Sequence, residues 1–290
     1  MLDARQQLDD GIRRERAGLL DAALEKYRRA ASETNDPAVA ARALRHEADT
    51  LRQRCEWDGA LAAARRSADL AAEAGLVELL AEALNAEAAV HRSRGDFALA
   101  IPLLEQILTT TSNERIRGIA LQNLGGIAAE SRDLMTAEVH FLESHLCFQR
   151  AGYLPGEAYA LHNYGRVLFD RGNAEDAGPV MQRAMDVAKK VGDLDLLALA
   201  TLTYAELLAH QQQITKAEEL VSSAHGYFTI TGNTYRRVEC LRFLGDMSLQ
   251  QQNTATAARC FREGLRLAQE IGAKVEVSQL SDRLAALPEA

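Results

Sequence analysis

Few residues in this chain are spaced for covalent chemistry. His140, His145 and Cys147 lie close together in HFLESHLC, but histidines five apart do not share a helix face, so they do not read as a metal site. No glycine-rich phosphate loop, HExxH or GxSxG occurs, and Gly125-Gly126 sits inside a helical pattern rather than at a turn. His91 and His210 read as polar surface residues at helix ends. The cysteines, Cys55, Cys147, Cys240 and Cys260, are far apart and read as reduced, mostly buried small apolar residues. The expectation is a non-enzyme with no catalytic residue, no metal and no cofactor.

Binding chemistry is better represented. Asn85, Gln122, Asn123 and Asn163 offer both donors and acceptors, so a ladder of such amides can pair with the main chain of an extended peptide whatever its sequence. Tyr159, His162, Asn163 and Arg166 recur at helical spacing, and together they could hold a carboxylate or phosphate through a charge-assisted bond. Arg42, Arg45, Arg52 and Arg92 form a second, basic region, for which a solvated charge face paired with the acids of the following helices is the favoured reading. The lone Trp57 falls at the start of a helix, where packing between repeats is the favoured role.

What must position these side chains is a repeated pair of helices. A small residue in each first helix and an alanine in each second helix recur together: Gly11/Ala23, Ala48/Ala60, Ala88/Ala100, Gly125/Ala137, Gly165/Ala177, Ala205/Ala217 and Gly245/Ala257. Where helices cross, Gly or Ala lets the backbones approach while larger neighbours interdigitate. One turn after each alanine stands Tyr27, Ala64, Leu104, Phe141, Met181, Val221 or Phe261, the filling of the layer between helices. The turn joining the two helices carries Gly18, Gly95 and Gly172 in three repeats, but Cys55, Arg132, Gln212 and Gln252 in the other four. Gly75, Gly152, Gly192, Gly232 and Gly272 mark where second helices stop. The first and third repeats use Asn35-Asp36-Pro37 and Thr111-Ser112-Asn113 instead.

Stretches such as ALHNYGRVLFDRGNAEDAGPVMQRAMDVAKKVGD and LRFLGDMSLQQQNTATAARCFREGLRLAQEIG resemble tetratricopeptide repeats. The longer form is similar to those of maltose-regulator-type activators, Rap-type regulators and spindle scaffold proteins. The resemblance implies an all-α fold, a right-handed superhelical solenoid of about seven helix pairs with a carboxy-terminal capping helix. It would form a single domain over 1–290, with repeats near 1–36, 37–75, 76–113, 114–152, 153–192, 193–232 and 233–272 and a cap at 273–288. It also implies that first helices line a concave groove where ligands lie. The polar ends, Arg5, Asp9, Arg13 and Arg16 at one and Lys274, Glu276, Asp282 and Arg283 at the other, favour a monomer over a filament and leave a homodimer open.

Composition agrees with a folded chain, at 47% hydrophobic and 26% charged residues with 5 prolines. The net charge of −8 argues against nonspecific nucleic-acid binding. No apolar run reaches the length of a membrane span, and no secretory signal opens the sequence, so a cytoplasmic location is expected. The functional expectation is a scaffold or adaptor that binds a peptide or helix of a partner protein in the groove formed around Asn85, Gln122, Asn123, Tyr159, His162, Asn163, Arg166, Arg42 and Arg45. The alternative is a sensor solenoid that binds a small molecule or signalling peptide and acts through another chain.

Overall fold

A computed structural model describes residues 3–287; Pro288, the last residue of the expected cap, lies outside them. Among the described residues there are fifteen helices and no strand. Two compact units, Met1–Ala160 and Leu161–Ala290, meet within one helix. Unit 1 holds α1 (Ala4–Arg16), α2 (Leu20–Ser32), α3 (Pro37–Gln53), α4 (Trp57–Glu73), α5 (Val77–Arg94), α6 (Phe97–Thr110), α7 (Glu114–Glu130), α8 (Leu134–Arg150) and the start of α9 (Leu154–Asp170). Unit 2 holds the rest of α9, then α10 (Ala174–Val191), α11 (Leu194–His210), α12 (Ile214–Ile230), α13 (Thr234–Gln250), α14 (Thr254–Glu270) and α15 (Lys274–Ala285). Consecutive helices pack against each other from α1 to α8 and from α10 to α15, and in unit 1 the first helices α1, α3, α5 and α7 also touch in series.

Local chemistry starts and stops these helices. Asp3 opens α1 with a reciprocal capping box to Gln6. Asp36 caps α3, with Pro37 in the first turn, where the missing N–H costs nothing. Asn113 accepts from the Arg115 and Ile116 backbone N–H groups to open α7. Such caps contribute about 1 kcal/mol each by satisfying otherwise orphaned N–H groups. The turns between paired helices all require one left-handed residue. Gly18, Gly95 and Gly172 supply it, and Cys55, Arg132, Gln212 and Gln252 adopt the same conformation at φ 60–63° without glycine's freedom. Packing therefore imposes the turn even where local sequence opposes it.

Inside the layers, the size of the small residue in the first helix tracks the bulk it must admit from the second. Ala23, Ala60, Ala100, Ala137, Ala177, Ala217 and Ala257 are fully buried. A Cβ built on Gly125 would stand 2.8 Å from the Phe141 ring, and one on Gly165 would stand 2.8 Å from Met181 Cγ. Gly11 and Gly245 likewise seat the Tyr27 and Phe261 rings. Alanine stands at the same place, as Ala48, Ala88 and Ala205, where the partners are the smaller Ala64, Leu104 and Val221.

Three expectations need correction or refinement. His91 is buried, not on the surface: the α5–α6 turn folds over it and places its ring near Glu87 and Asp96, 3.8 and 3.9 Å away. Cys55 is exposed because it occupies a left-handed turn, whereas Cys147 and Cys240 are buried. Trp57 lies half-buried against the cluster of Leu24, Leu51, Ala60, Leu61 and Val90, a packing position between repeats.

Candidate functional site

The side chains singled out for binding come from first helices, and in unit 1 these helices run beside one another. The small residues Ala48, Ala88 and Gly125 pack against the second helices, and other positions of the same three helices turn towards a shared cavity. There Asp49 and Arg52 of α3, Asn85 and Arg92 of α5, and Asn123 and Glu130 of α7 surround a polar cavity of about 590 Å³. Its walls form a directed chain of hydrogen bonds. Asn123 Nδ2 donates to Asn85 Oδ1 at 2.9 Å, Arg92 Nη1 donates to Asn123 Oδ1 at 3.1 Å, and Arg92 Nη2 donates to Glu130 Oε1 at 2.6 Å. This chain orients both amides, Asn123 using its oxygen and its nitrogen and Asn85 its oxygen.

A glycine makes this arrangement possible. A Cβ on Gly126 would collide with the Arg92 guanidinium, so the Gly125-Gly126 pair seats Phe141 on one side of α7 and Arg92 on the other. At the α3 end, Arg45 donates to Asp49 at 3.0 Å and lies 3.6 Å from Glu82. Burial pushes the Asp49 carboxyl above the usual range, and Arg45 and Arg52 oppose the shift. Beside it, Tyr27 donates to Glu15 at 2.6 Å and stacks on His46. Burial alone would raise the Glu15 carboxyl, but the bonds from His46 and Tyr27 hold it below its usual range. Arg45 and Arg92 are thus held by Asp49, Glu82 and Glu130, with Glu15 beside His46, while Arg42, one turn before Arg45 on the same face of α3, is exposed. Those carboxylates were missed in sequence. The signal available was the spacing of Arg92 and Glu130, separated by 38 positions, one repeat apart.

A smaller cavity of about 210 Å³ adjoins the first at Asn123, which lines both. Gln122 and Tyr159 line it together with Phe148 and Tyr153. Polar and aromatic surfaces therefore follow each other along the face of unit 1.

The remaining candidates belong to unit 2. His162 is withdrawn from solvent at 8% exposure, and burial, helped by Arg166 and Arg236, pushes its imidazole down to about 4. Arg166 is engaged on both sides, donating to Asp170 at 3.0 Å and to Glu206 at 2.6 Å. Asn163 is half-buried. Of the expected group, the structure therefore brings Asn85, Gln122, Asn123 and Tyr159 together around connected cavities in unit 1. Among the described residues no group of three or more His, Cys, Asp or Glu converges on a metal-sized site, and no helix is long and apolar enough to cross a membrane.

The chain matches no protein-family model and no curated protein. Solved structures do match. A Rap protein complexed with competence and sporulation factor superposes with a TM-score of 0.70 at 13% identity, over 97% of this chain and 76% of that one. The apo quorum sensor NprR from B. thuringiensis gives 0.74 at 12% identity, over 91% and 76%. This is the tetratricopeptide-type fold. A signal-transduction ATPase from Pyrococcus horikoshii with a tetratricopeptide repeat sensor gives 0.75 at 18% identity, over 94% of this chain and 42% of that one. At these identities the likeness of the tetratricopeptide chains is one of architecture, and the chemistry of the face must be argued from its own residues.

Proposed function

We propose that this tetratricopeptide-type chain is a non-catalytic binding module whose first-helix face in unit 1 takes an extended segment of a partner polypeptide. The observation that carries this reading is the Asn85–Asn123–Arg92–Glu130 chain around the polar cavity. An extended main chain presents alternating donors and acceptors that held amides can match, and the aromatic wall beside Asn123 offers a place for an apolar side chain. The face carries both signs of charge, which suits a peptide better than a polyanion. The complex of the Rap protein with competence and sporulation factor supports a bound factor as the ligand of this architecture.

A sensor reading rests on the same face, favoured by two similar structures being sensors. It requires that the ligand alter how this chain engages another.

The test begins with peptides selected from a random library on the wild-type protein and mapped to the face by crosslinking. Asn85→Ala combined with Asn123→Ala should weaken a selected peptide at least thirtyfold, about 2 kcal/mol, by removing two amides from a desolvated contact. Gly126→Ala should weaken it by displacing Arg92, with little change in melting temperature. Undiminished affinity in both variants, or failure to select any peptide that maps to this face, would refute the assignment.

A further inference from the structure

Unit 2 contains a cavity of different character. It lies where α10 and α12 run over α11, has a volume of about 400 Å³, and is floored by Leu197, Ala198, Leu220 and Ala224 with Met185 and Tyr227 as walls. That volume and an apolar lining with few polar groups suit a small-molecule site.

The cavity exists because this repeat departs from its neighbours. In the following repeat the corresponding positions are His225, Arg237 and Glu263, and Arg237 lies 3.8 Å from Glu263 across the groove. In unit 1 the positions corresponding to Leu197 and Ser223 are Arg117 and Glu143, and Arg117 fills its place by donating to the Leu108 carbonyl at 2.5 Å. Here alone among these three, an opposite-charge pair is replaced by leucine and serine, and the groove stays open. Because Arg237 and Glu263 occupy the next groove, the opening does not continue as the long apolar track that an amphipathic helix, about 10 Å across, would need.

The polar groups narrow the ligand. The Thr201 hydroxyl donates its proton to the Leu197 carbonyl at 2.7 Å, and the Tyr227 hydroxyl donates its proton to Asp195 at 3.0 Å, which leaves both oxygens only as acceptors. The rim carries Asp186 and Lys189, one turn apart on α10, with the Ser223 hydroxyl opposite. Lys189 offsets Asp186, and Asp195 adds a carboxylate beside Tyr227, so an anion is not drawn in; the apolar floor gives a buried ion of either sign no partner, and Ser223 can both donate and accept. We propose that this cavity is a second binding site, for a small uncharged molecule with an aliphatic or aromatic body and one hydrogen-bonding group. It is separate from the amide face of unit 1 and does not depend on it.

The neighbouring repeat supplies the test. Leu197→Arg combined with Ser223→Glu restores the charge pair found at Arg237 and Glu263 and closes the groove. Ser223→Phe, at an exposed position, covers the mouth without entering the core and serves if the double variant does not fold. Benzyl alcohol and benzoate, similar in size and different in charge, are titrated into the full-length protein and followed by amide chemical shifts. The expected result is saturable binding of benzyl alcohol with shifts at Ala198, Thr201 and Ala224, at least tenfold weaker binding of benzoate, and at least tenfold loss of benzyl alcohol binding in a folded variant. The proposal is overturned if benzyl alcohol does not saturate, if the shifts map elsewhere, if benzoate binds as well, or if a folded variant binds benzyl alcohol with wild-type affinity.

Discussion

Gly125→Ala tests whether glycine in a first helix is a seat for the bulky residue of its second helix. The added Cβ would lie 2.8 Å from Phe141 Cδ1 and Cε1, against about 3.5–4.0 Å for ordinary carbon contacts. The ring cannot swing away, because Phe141 is only 3% exposed. Overpacking of this kind costs about 1–3 kcal/mol, while replacing a mid-helix glycine with alanine returns up to about 1 kcal/mol. The substitution should therefore destabilise by roughly 0–2 kcal/mol in the wild-type background. In a Phe141→Leu background, which reproduces the Ala88 and Leu104 pairing buried in the neighbouring repeat, the same change should stabilise by up to about 1 kcal/mol. The coupling of about 1–3 kcal/mol is read from urea midpoints by far-ultraviolet circular dichroism, comparing all four proteins of the cycle. A Gly125→Ala effect that is the same in both backgrounds would show that the glycine is there for some reason other than the ring.

Two further outcomes follow from the structure. His162 has a folded value near 4 because burial disfavours its charged form, against about 6.5 in an unfolded chain. Its neutral form is the one that folds, so its contribution is fully present above pH 6.5 and is lost as pH falls towards 4, where only the unfolded chain takes up the proton. The loss is on the order of 3 kcal/mol; His162→Gln should flatten the melting temperature across that interval, and an unchanged pH profile would refute the burial argument. Separately, Arg132→Gly and Gln212→Gly should each stabilise by about 0.5–1 kcal/mol, since the left-handed strain of a side chain at φ 63° exceeds the entropy cost of glycine. A lower denaturation midpoint for either variant would show that the turn is not strained.

Sequence alone determined the repeat, because its signals are local and periodic. The recurrence of Ala60, Ala100 and Ala137 with a small partner one helix earlier is set by the distance at which two helices can cross, and those alanines are fully buried. Capping residues such as Asp36 and Asn113 announce their helices through bonds to backbone only two or three positions away. The residue types of the binding face were also legible, since Asn85 and Gln122 recur at the same place in successive repeats, before Ala88 and Gly125.

Tertiary structure decided what those residues do. Whether an arginine is solvated or held depends on partners a full repeat away, as with Arg92 and Glu130, and no local pattern reports which rotamer reaches. His162 and Gln122 occupy corresponding positions, yet His162 is buried and Gln122 lines a cavity, because burial depends on the bulk packed above each helix. The left-handed turns at Cys55, Arg132, Gln212 and Gln252 oppose local preference, and only the packing of the helices on either side imposes them. The open groove at Leu197 and Ser223 is visible as two substitutions in the repeat, but that they leave a cavity rather than a collapsed contact depends on the spacing of α10 and α12, which the rest of the layer holds apart.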